Sequence, residues 1–230
     1  MRGARLQRVV GRNRSLRKTL FGTMARLETV LLRGHKEGDT LDLIRGVQRE
    51  RESLLGVNEA FHVYAMARAQ SALDGDMAEV GVYQGCSARL ISLAGADTQL
   101  HLFDTFAGLP TPDAREGRIL AERQYASALD GVQRYLADRL NVVFHPGLFA
   151  AASDHVRDRR FSFVHLDVDL KSSTRDCLDF FYPRMVPGGV ILTHDYSVLD
   201  GVREAFTEFL AGQRERAIEL STSQAMLIKA

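Results

Sequence analysis

Residues 161–170 read FSFVHLDVDL, a run of apolar and β-branched residues that ends in Asp167 and Asp169. Such a run predicts a buried strand whose carboxyl end opens onto a polar crevice. Open α/β sheets bind their ligands at the carboxyl ends of their strands. A second apolar run, residues 188–193, ends in the same way in His194 and Asp195. Two neighbouring strands that end in carboxylates can hold a divalent cation between them.

Strand patterns and helix patterns alternate from residue 77 to the end of the chain. Strands are predicted at 77–82, 100–103, 142–145, 161–170 and 188–193, and helices at 87–94, 173–184 and 201–210. This alternation predicts an α/β fold with a doubly wound, mostly parallel sheet covered by helices on both faces. A pair of short strands within 217–229 would add an antiparallel edge strand. Further helices are predicted ahead of the sheet, through residues 41–47 and 58–69.

Length and composition limit the class of protein. The chain has 230 residues, of which 45% are hydrophobic and 26% charged, and this is typical of one globular domain with an extension. Cys86 and Cys177 fall in no metal-ligand or redox pair, so we expect free thiols in a reducing, cytoplasmic environment. No apolar run approaches the ~20 residues of a membrane span. With a net charge of +1, nucleic acid is not an expected partner.

The positive charge is concentrated at the N-terminus. Residues 1–36 hold ten Arg and Lys and one Glu, which leaves 20 basic and 28 acidic residues in the remainder. Apolar residues recur here at steps of three and four, so we predict a basic amphipathic helical extension over 1–38, followed by the main domain over 39–230. The first interpretation is a helix that packs on the domain or on a second subunit of a homo-oligomer. The alternative is a weak contact of residues 1–33 with an anionic membrane surface.

A glycine turn follows the first predicted strand. Gly81 and Gly85 stand in a G-x-x-x-G spacing that opens a helix, and Glu79 precedes them. This spacing lacks the middle glycine that makes room for a pyrophosphate in dinucleotide enzymes, so a nucleoside ligand without a pyrophosphate fits better. Asp104, at the end of the next strand and 23 residues after Gly81, is placed to bind both ribose hydroxyls.

These residues together resemble the macrocin O-methyltransferase family of class I S-adenosylmethionine-dependent enzymes. The resemblance covers about residues 55–215 and is carried by residues 79–87, 102–110, 166–170, 172–174, 181–184, 187–189 and 194–196. It implies a seven-stranded, Rossmann-like methyltransferase sheet and the methylation of a hydroxyl or diol on a small molecule, a sugar or glycosylated secondary metabolite above all. Two alternatives stay open: a catechol or phenol O-methyltransferase, and a nucleoside-binding protein with this fold that has no activity.

The resemblance also implies roles for particular residues. The cofactor S-adenosyl-L-methionine would contact a set that runs from the glycine turn to the end of the fourth strand, namely Glu79, Gly81, Val82, Tyr83, Gly85, Ser87, Asp104, Thr105, Phe106, Gly147, Phe149 and Asp167. Among these, Asp104 would hold the ribose, and Gly147 and Phe149 would flank the adenine. A polar segment at about 107–132, with little periodicity, would form a lid over cofactor and acceptor.

Metal-dependent members of the family carry carboxylates at the positions of Asp167, His194 and Asp195. Imidazole is a poorer ligand for Mg²⁺ than for Mn²⁺ or another transition metal. His194 therefore leaves three interpretations: a transition-metal site, a weakened Mg²⁺ site, or a general base that works without metal. Lys171, which follows the Asp-x-Asp-Leu block, is a further catalytic candidate by analogy with catechol methyltransferases, although its spacing differs by one residue.

Overall fold

The computed structural model describes residues 14–230, and their side chains from residue 22 onward. Seven strands form one sheet in the order β3-β2-β1-β4-β5-β7-β6. They are β1 Asp76–Val80, β2 Leu100–Asp104, β3 Val142–Pro146, β4 Phe161–Leu166, β5 Met185–Thr193, β6 Ile218–Glu219 and β7 Ala225–Ile228. The first five are parallel, and β7 runs antiparallel to both of its neighbours. The predicted doubly wound, mostly parallel α/β fold is confirmed.

Within residues 14–230, eight helices lead into the sheet and connect its strands. They are α1 Arg14–Arg33, α2 Gly38–Glu50, α3 Val57–Gln70, α4 Cys86–Ala94, α5 Leu129–Tyr135, α6 Phe149–Ala152, α7 Lys171–Phe181 and α8 Asp200–Phe209, with 3₁₀ turns at Glu116–Arg118, Ser153–Val156 and Tyr182–Arg184. Each face of the sheet carries its own apolar core. On one face Phe161, Phe181 and Phe206 are completely buried, and on the other Phe163, Leu90 and Ile44 are at most 1% exposed.

The strand register decides where the functional side chains meet. Val80 of β1 pairs with Phe103 of β2 and Leu166 of β4, and Leu166 pairs with Thr193 of β5. The residues that follow these partners are Gly81, Asp104, Asp167 and His194. Parallel strands in register end at the same edge of the sheet, so these four residues form one row across it. Strand β4 ends at Leu166, before the predicted end at residue 170, and Asp167 and Asp169 therefore lie in the loop just beyond the strand.

The C-terminal hairpin forms around residues 221–224, as the sequence predicts. Strand β7 pairs with β5 over Val190–Thr193, and β6 adds two residues at the outer edge. The hairpin loop brings Ser223 and Gln224 against α3. Ser223 Oγ donates to Glu59 at 2.6 Å, and His62 Nδ1 lies 2.9 Å from Gln224 Oε1.

The described part of the N-terminal extension packs on the main domain. Leu32 of α1 is 6% exposed and belongs to the core beneath α2 and α3. Glu28 accepts hydrogen bonds from the backbone N–H groups of Val57 at 2.6 Å and Asn58 at 3.4 Å, so α1 caps α3. The boundary predicted at residue 38 falls on the first residue of α2. Residues 1–13 of the predicted extension lie outside the described residues, and within 14–230 no helix combines the length and apolarity needed to cross a bilayer.

Candidate active site

A cavity of about 1100 Å³ opens at the carboxyl edge of the sheet. It is lined by the glycine turn and by the ends of β1, β2, β4 and β5, and it extends to residues 52–55 and to Met24 of α1. Its volume reaches the upper end of the range found for ligand sites, roughly 300–1000 Å³. The cavity can therefore hold a nucleoside-sized ligand and a second molecule side by side.

The glycine turn is shaped by close packing of the chain. Gly81 has a φ of +89°, and a Cβ at this position would lie 1.9 Å from the carbonyl oxygen of Asp167. The absence of a side chain at Gly81 thus lets the end of β4 approach the end of β1. Gly85 has a φ of +85° and starts α4, and a Cβ there would meet Val132 of α5 at 3.0 Å. Each glycine serves the backbone geometry of the turn.

Asp104 organises this turn through backbone hydrogen bonds. Its Oδ2 accepts from the N–H groups of Val82 at 2.7 Å and Tyr83 at 2.9 Å, and its Oδ1 accepts from Phe106 at 2.7 Å. The carboxylate lines the cavity, and its four lone-pair sites exceed the three that these bonds use. Asp104 is consequently held rigidly at the place where a ribose is expected.

Most of the cofactor-binding residues predicted from the sequence line this cavity. Those that do are Gly81, Val82, Tyr83, Ser87, Asp104, Thr105, Gly147, Phe149 and Asp167. The cavity lining does not include Glu79, Gly85 and Phe106. Glu79 is completely buried under the sheet end, where its Oε1 lies 2.8 Å from His165 Nδ1, and Phe106 packs against Phe144. These three residues therefore lie behind the residues that line the cavity.

The three predicted metal or catalytic residues at the strand ends come together. Ligand atoms of Asp167, His194 and Asp195 all lie within 4.8 Å of one another. His194 Nδ1 is 3.1 Å from Asp195 Oδ2 and 3.5 Å from Asp167 Oδ1. This nitrogen is buried, and among the described residues it finds no hydrogen bond of good geometry. One imidazole nitrogen and two carboxylates therefore face a common point.

Glu59 is a fourth member of this cluster that the sequence did not reveal. Its Oε2 lies 3.3 Å from His194 Nε2, on the side of the ring opposite Asp167 and Asp195. Burial opposes the ionised carboxylate, but hydrogen bonds from His194, Ser223 and the Gly56 N–H outweigh it and lower the pKa of Glu59 to about 2. The sequence shows Glu59 only as an acidic residue in the first turn of a helix, a position that is common for capping alone.

The charges around His194 decide its protonation. Burial opposes the imidazolium, but Asp167, Asp195 and Glu59 outweigh that effect and raise the pKa of His194 well above its ordinary value. Burial and the negative charge of Asp195 raise the pKa of Asp167, against the opposing effect of His194. The surrounding carboxylates thus favour the cationic form of the His194 ring when nothing else is bound.

Two further residues at the cavity were not assigned a role from the sequence. Asp169 is buried at 8% exposure, and burial together with Asp167 and Asp195 raises its pKa well above the ordinary value. Tyr125 lies against Tyr83 with ring centroids 6.0 Å apart, and burial raises its pKa to about 12. Both side chains line the cavity, where each can form hydrogen bonds with a bound molecule.

Lys171 lies apart from this group. Its ammonium is 2.7 Å from Glu208 Oε1 and 3.4 Å from Glu204 Oε2, both on α8, and it is absent from the cavity lining. The hydrogen bond to Glu208 raises the pKa of Lys171, which makes its proton harder to remove. The reason for this placement is that α7 begins at Lys171, so the side chain turns towards α8.

Backbone strain is concentrated around the cavity. Six non-glycine residues between 14 and 230 have φ between +47° and +65°, and four of them line the cavity: Tyr83, Tyr125, Asp169 and Asp195. Such conformations cost about 1–3 kcal/mol each and persist where the surrounding structure enforces them. The surrounding structure therefore holds these four residues at the cavity in spite of this cost.

The predicted lid is a folded loop that is fixed to α7 and α8. Residues Leu109 and Arg123 to Gln124 pair through their backbones, and a 3₁₀ turn covers Glu116–Arg118. Glu116 Oε1 accepts from the N–H of Lys171 at 2.7 Å and so caps α7. Leu120 and Tyr125 from this segment line the cavity. The last residues of the predicted lid, from 129 onward, belong to helix α5.

Comparison with known proteins identifies a family and relatives of this chain. The model of the family described as macrocin-O-methyltransferase matches residues 58–220. A tetracenomycin-C rhamnosyl 4′-O-methyltransferase from Streptomyces olivaceus is 30% identical over 151 residues, which are 59% of this chain and 58% of that protein. A mycinamicin III 3″-O-methyltransferase from Micromonospora griseorubida is 30% identical over 153 residues, 59% of this chain and 60% of that protein. The aligned region thus spans about three fifths of these relatives.

Solved structures support the fold. The O-methyltransferase NovP superimposes with a TM-score of 0.65 at 22% identity, covering 77% of this chain and 82% of that chain. A calicheamicin methyltransferase gives a TM-score of 0.67 at 16% identity and covers 90% and 91%. Because the family model matches well over half of the residues, the chain belongs to the macrocin O-methyltransferase family.

Proposed function

We propose that the protein is an S-adenosylmethionine-dependent O-methyltransferase that acts on a sugar hydroxyl of a small, glycosylated secondary metabolite. The observation that carries this proposal is a single cavity that joins the glycine turn and Asp104 to the cluster of Asp167, His194 and Asp195. Family membership supports the same reaction. One curated relative is named as the 4′-O-methyltransferase of a rhamnosylated tetracenomycin C, and the other as a 3″-O-methyltransferase of mycinamicin III.

The chain's own residues would first position the two reactants. Asp104 would accept hydrogen bonds from the ribose hydroxyls, and Gly147 and Phe149 would flank the adenine. When bound, the cofactor supplies a methyl group on an already activated sulfonium. The protein's contribution is then alignment of the acceptor oxygen with that methyl and removal of its proton. Tyr125 and Asp169 would orient the acceptor through hydrogen bonds.

The second task of the residues is to take the proton from the acceptor hydroxyl. We assign this to the cluster: to a carboxylate of Asp167 or Asp195 while His194 is cationic, or to His194 Nδ1 once the ring is neutral. The donor set also fits a divalent cation, because the buried Nδ1 has no hydrogen bond of good geometry within the described residues and faces two carboxylates. Asp167, His194 and Asp195 would hold it, with Mn²⁺ or another transition metal favoured by the imidazole. When bound, such an ion lowers the pKa of a hydroxyl as a Lewis acid.

The cavity lining favours an acceptor whose sugar is attached to an apolar group. Among the described residues that line the cavity, Arg118 is the only Arg or Lys. Five acidic residues also line it, namely Glu52, Asp104, Asp167, Asp169 and Asp195. A nucleotide-linked sugar, the acceptor named for a calicheamicin enzyme of similar fold, would bring a diphosphate into this negative field. The remaining wall is apolar and contains Met24, Leu54, Leu55, Ile119 and Val198. This wall would contact the aglycone.

A methyl-transfer assay with labelled S-adenosylmethionine tests the proposal. The acceptors are rhamnosylated polyketides, nucleotide-linked rhamnose and a catechol, and we expect label in the glycoside alone. His194→Ala should lower kcat by at least about 10²-fold, the typical contribution of a general acid or base, whereas Lys171→Met should leave kcat within about twofold. Tight binding of S-adenosylhomocysteine without transfer to any acceptor would instead favour a nucleoside-binding protein without activity.

We also propose that helix α1 mediates association with a second copy of the chain. Met24, Leu27, Val30 and Leu31 are 62–69% exposed although they are apolar, and three of them repeat at steps of three and four. Sedimentation velocity of the wild type and of Leu27→Ser should show a shift towards monomer in the variant. Co-sedimentation of the wild type with anionic liposomes, lost in the same variant, would favour the membrane-surface alternative.

A further inference from the structure

Glu59 reaches the catalytic cluster from an element that contributes nothing else to it. It lies in the first turn of α3, and its side chain is 16% exposed. Its Oε2 accepts from the Gly56 N–H at 2.8 Å and lies 3.3 Å from His194 Nε2, while its Oε1 accepts from Ser223 Oγ at 2.6 Å. Ser223 Oγ itself lies 3.4 Å from His194 Nε2. The carboxylate is therefore fixed by the start of α3 and by the C-terminal hairpin.

The chemistry of a carboxylate determines how His194 is oriented. An ionised carboxylate only accepts hydrogen bonds, so the Nε2 atom that faces it must carry the hydrogen. The other ring nitrogen, Nδ1, then points to the opposite side, 3.1 Å from Asp195 and 3.5 Å from Asp167. Histidines that bind metals usually donate their second N–H to a carboxylate, which fixes both the tautomer and the ring plane.

We propose that Glu59 is a positioning residue that holds His194 by its Nε2–H and so directs Nδ1 to the point shared with Asp167 and Asp195, where a divalent cation binds. This inference rests on the proposed function in one respect only: it takes the cluster of Asp167, His194 and Asp195 to be the site that holds a cation. Glu59 does not touch substrate or cation. Its role explains why a buried carboxylate is placed behind the imidazole, where it can take no part in methyl transfer.

Calorimetry with Mn²⁺ alone, on the full chain, tests the proposal. Glu59→Leu removes the acceptor, and we expect Mn²⁺ affinity to fall by about 10–100-fold, the usual effect of removing such a partner. Glu59→Asp keeps a capping carboxylate at the start of α3 but withdraws it from His194, and it should show a similar loss in a folded protein. Glu59→Gln retains an oxygen that accepts the Nε2–H, so its affinity should stay within about tenfold of the wild type.

A spectroscopic measurement separates positioning from general stability. Nitrogen-15 NMR of the histidine side chains in the protein saturated with Zn²⁺, a diamagnetic ion that imidazole binds well, should show His194 with its hydrogen on Nε2 in the wild type and in Glu59→Gln, and loss of this single tautomer in Glu59→Asp. Glu28→Gln is the matched control, because it weakens a cap of the same helix without contact to His194. We expect it to leave Mn²⁺ affinity and tautomer unchanged.

The outcomes distinguish this inference from the proposed function. Equal Mn²⁺ affinity and an unchanged tautomer in Glu59→Asp would overturn the role of Glu59, and so would a wild type that binds no Mn²⁺. Neither readout depends on turnover. If the Glu59 variants behave as expected but no glycoside accepts a methyl group, the inference stands and the proposed acceptor is wrong.

Discussion

At the scale of single residues, Gly81 shows how a backbone contact builds the site. Alanine at this position would place its Cβ 1.9 Å from the Asp167 carbonyl oxygen, and that atom belongs to backbone, which cannot turn aside. We expect Gly81→Ala to lose at least about 3 kcal/mol of unfolding free energy, since both a left-handed φ and a direct clash oppose it. Urea unfolding followed by circular dichroism measures this loss.

Gly212 provides the control for that experiment. It has nearly the same φ, +90°, but a Cβ added there would have no neighbour within 4 Å among the described residues, and the position is exposed. Gly212→Ala therefore loses only the free energy of the left-handed backbone, about 1–2 kcal/mol. Equal losses in the two variants would show that the approach of β4 to β1 does not require a glycine.

His145 gives a prediction on the pH dependence of stability. It is 9% exposed, its Nε2 lies 3.0 Å from His101 Nδ1, and burial with the neighbouring His101 and His155 lowers its pKa to about 4. The unfolded state, with a pKa near 6.5, binds more protons between these values. Stability should consequently be complete above about pH 6.5 and decline as the pH falls towards 4.

Urea unfolding of the wild type and His145→Gln at pH 7.5 and pH 5 tests this linkage. The glutamine amide N–H can still donate to His101 Nδ1, so the variant should keep its hydrogen bond while losing less stability on acidification than the wild type. His35→Gln, at an exposed position, serves as the control and should follow the wild type. A variant with the same acid loss as the wild type would show that other groups cause it.

Individual residues also show which parts of the site could be predicted from the sequence and which could not. Asp104 and the row of Gly81, Asp167 and His194 follow from strand ends, because parallel strands in register bring their next residues together. Glu59 was missed because its contact with His194 spans 135 positions in the chain and depends on how α3 packs against the sheet. Lys171 was a catalytic candidate because it lies four residues after Asp167. It is the first residue of α7, however, and its side chain pairs with Glu204 and Glu208 on α8.

At the scale of elements, the lid is held by Glu116. Its Oε1 caps the N-terminus of α7, and Gly201 at the start of α8 leaves the space in which this oxygen lies, since a Cβ there would be 2.6 Å away. Glu116→Ala should cost about 1 kcal/mol, as for the loss of a helix cap. Chymotrypsin should then cleave faster after Leu120 and Tyr125, which the anchored lid holds against the cavity.

Arg115 is the control for the lid. Its ion pairs with Glu204 at 2.7 Å and Asp200 at 3.5 Å are solvent-exposed, and such pairs contribute little to stability. Arg115→Ala should change cleavage little. If Arg115→Ala accelerates proteolysis as much as Glu116→Ala, the lid is held by surface charge and not by the cap.

The elements themselves were largely predictable, and the lid was not. Strands such as β4 and β5 are apolar runs of the length typical of buried strands, which is why their positions could be predicted. The lid shows no regular pattern of apolar residues, because its structure comes from single contacts such as the pairing of Leu109 with Arg123 and Gln124. Contacts of this kind leave no repeating pattern in the sequence.

At the scale of the whole molecule, helix α1 connects the N-terminal segment to the active-site cavity. Glu28 ties it to the start of α3 through Val57 and Asn58, and Met24, one turn earlier, lines the cavity. The cavity thus includes a residue of the N-terminal extension, a helix whose packing on the domain was the first interpretation of the sequence. The same start of α3 carries Glu59, so α1 supports the helix that positions His194.

Glu28→Ala tests the attachment of α1 to the domain. Loss of the cap should cost about 1 kcal/mol and should speed hydrogen exchange of the backbone amides in residues 22–33, because the helix loses its polar attachment to the domain. The affinity for S-adenosylhomocysteine should stay unchanged, since Glu28 touches neither the glycine turn nor Asp104. Glu37→Ala is the control, as Glu37 precedes α2 without a side-chain cap hydrogen bond to the described residues. Exchange in residues 22–33 that is equal in both variants would mean that Leu32 and its apolar neighbours alone hold α1 in place.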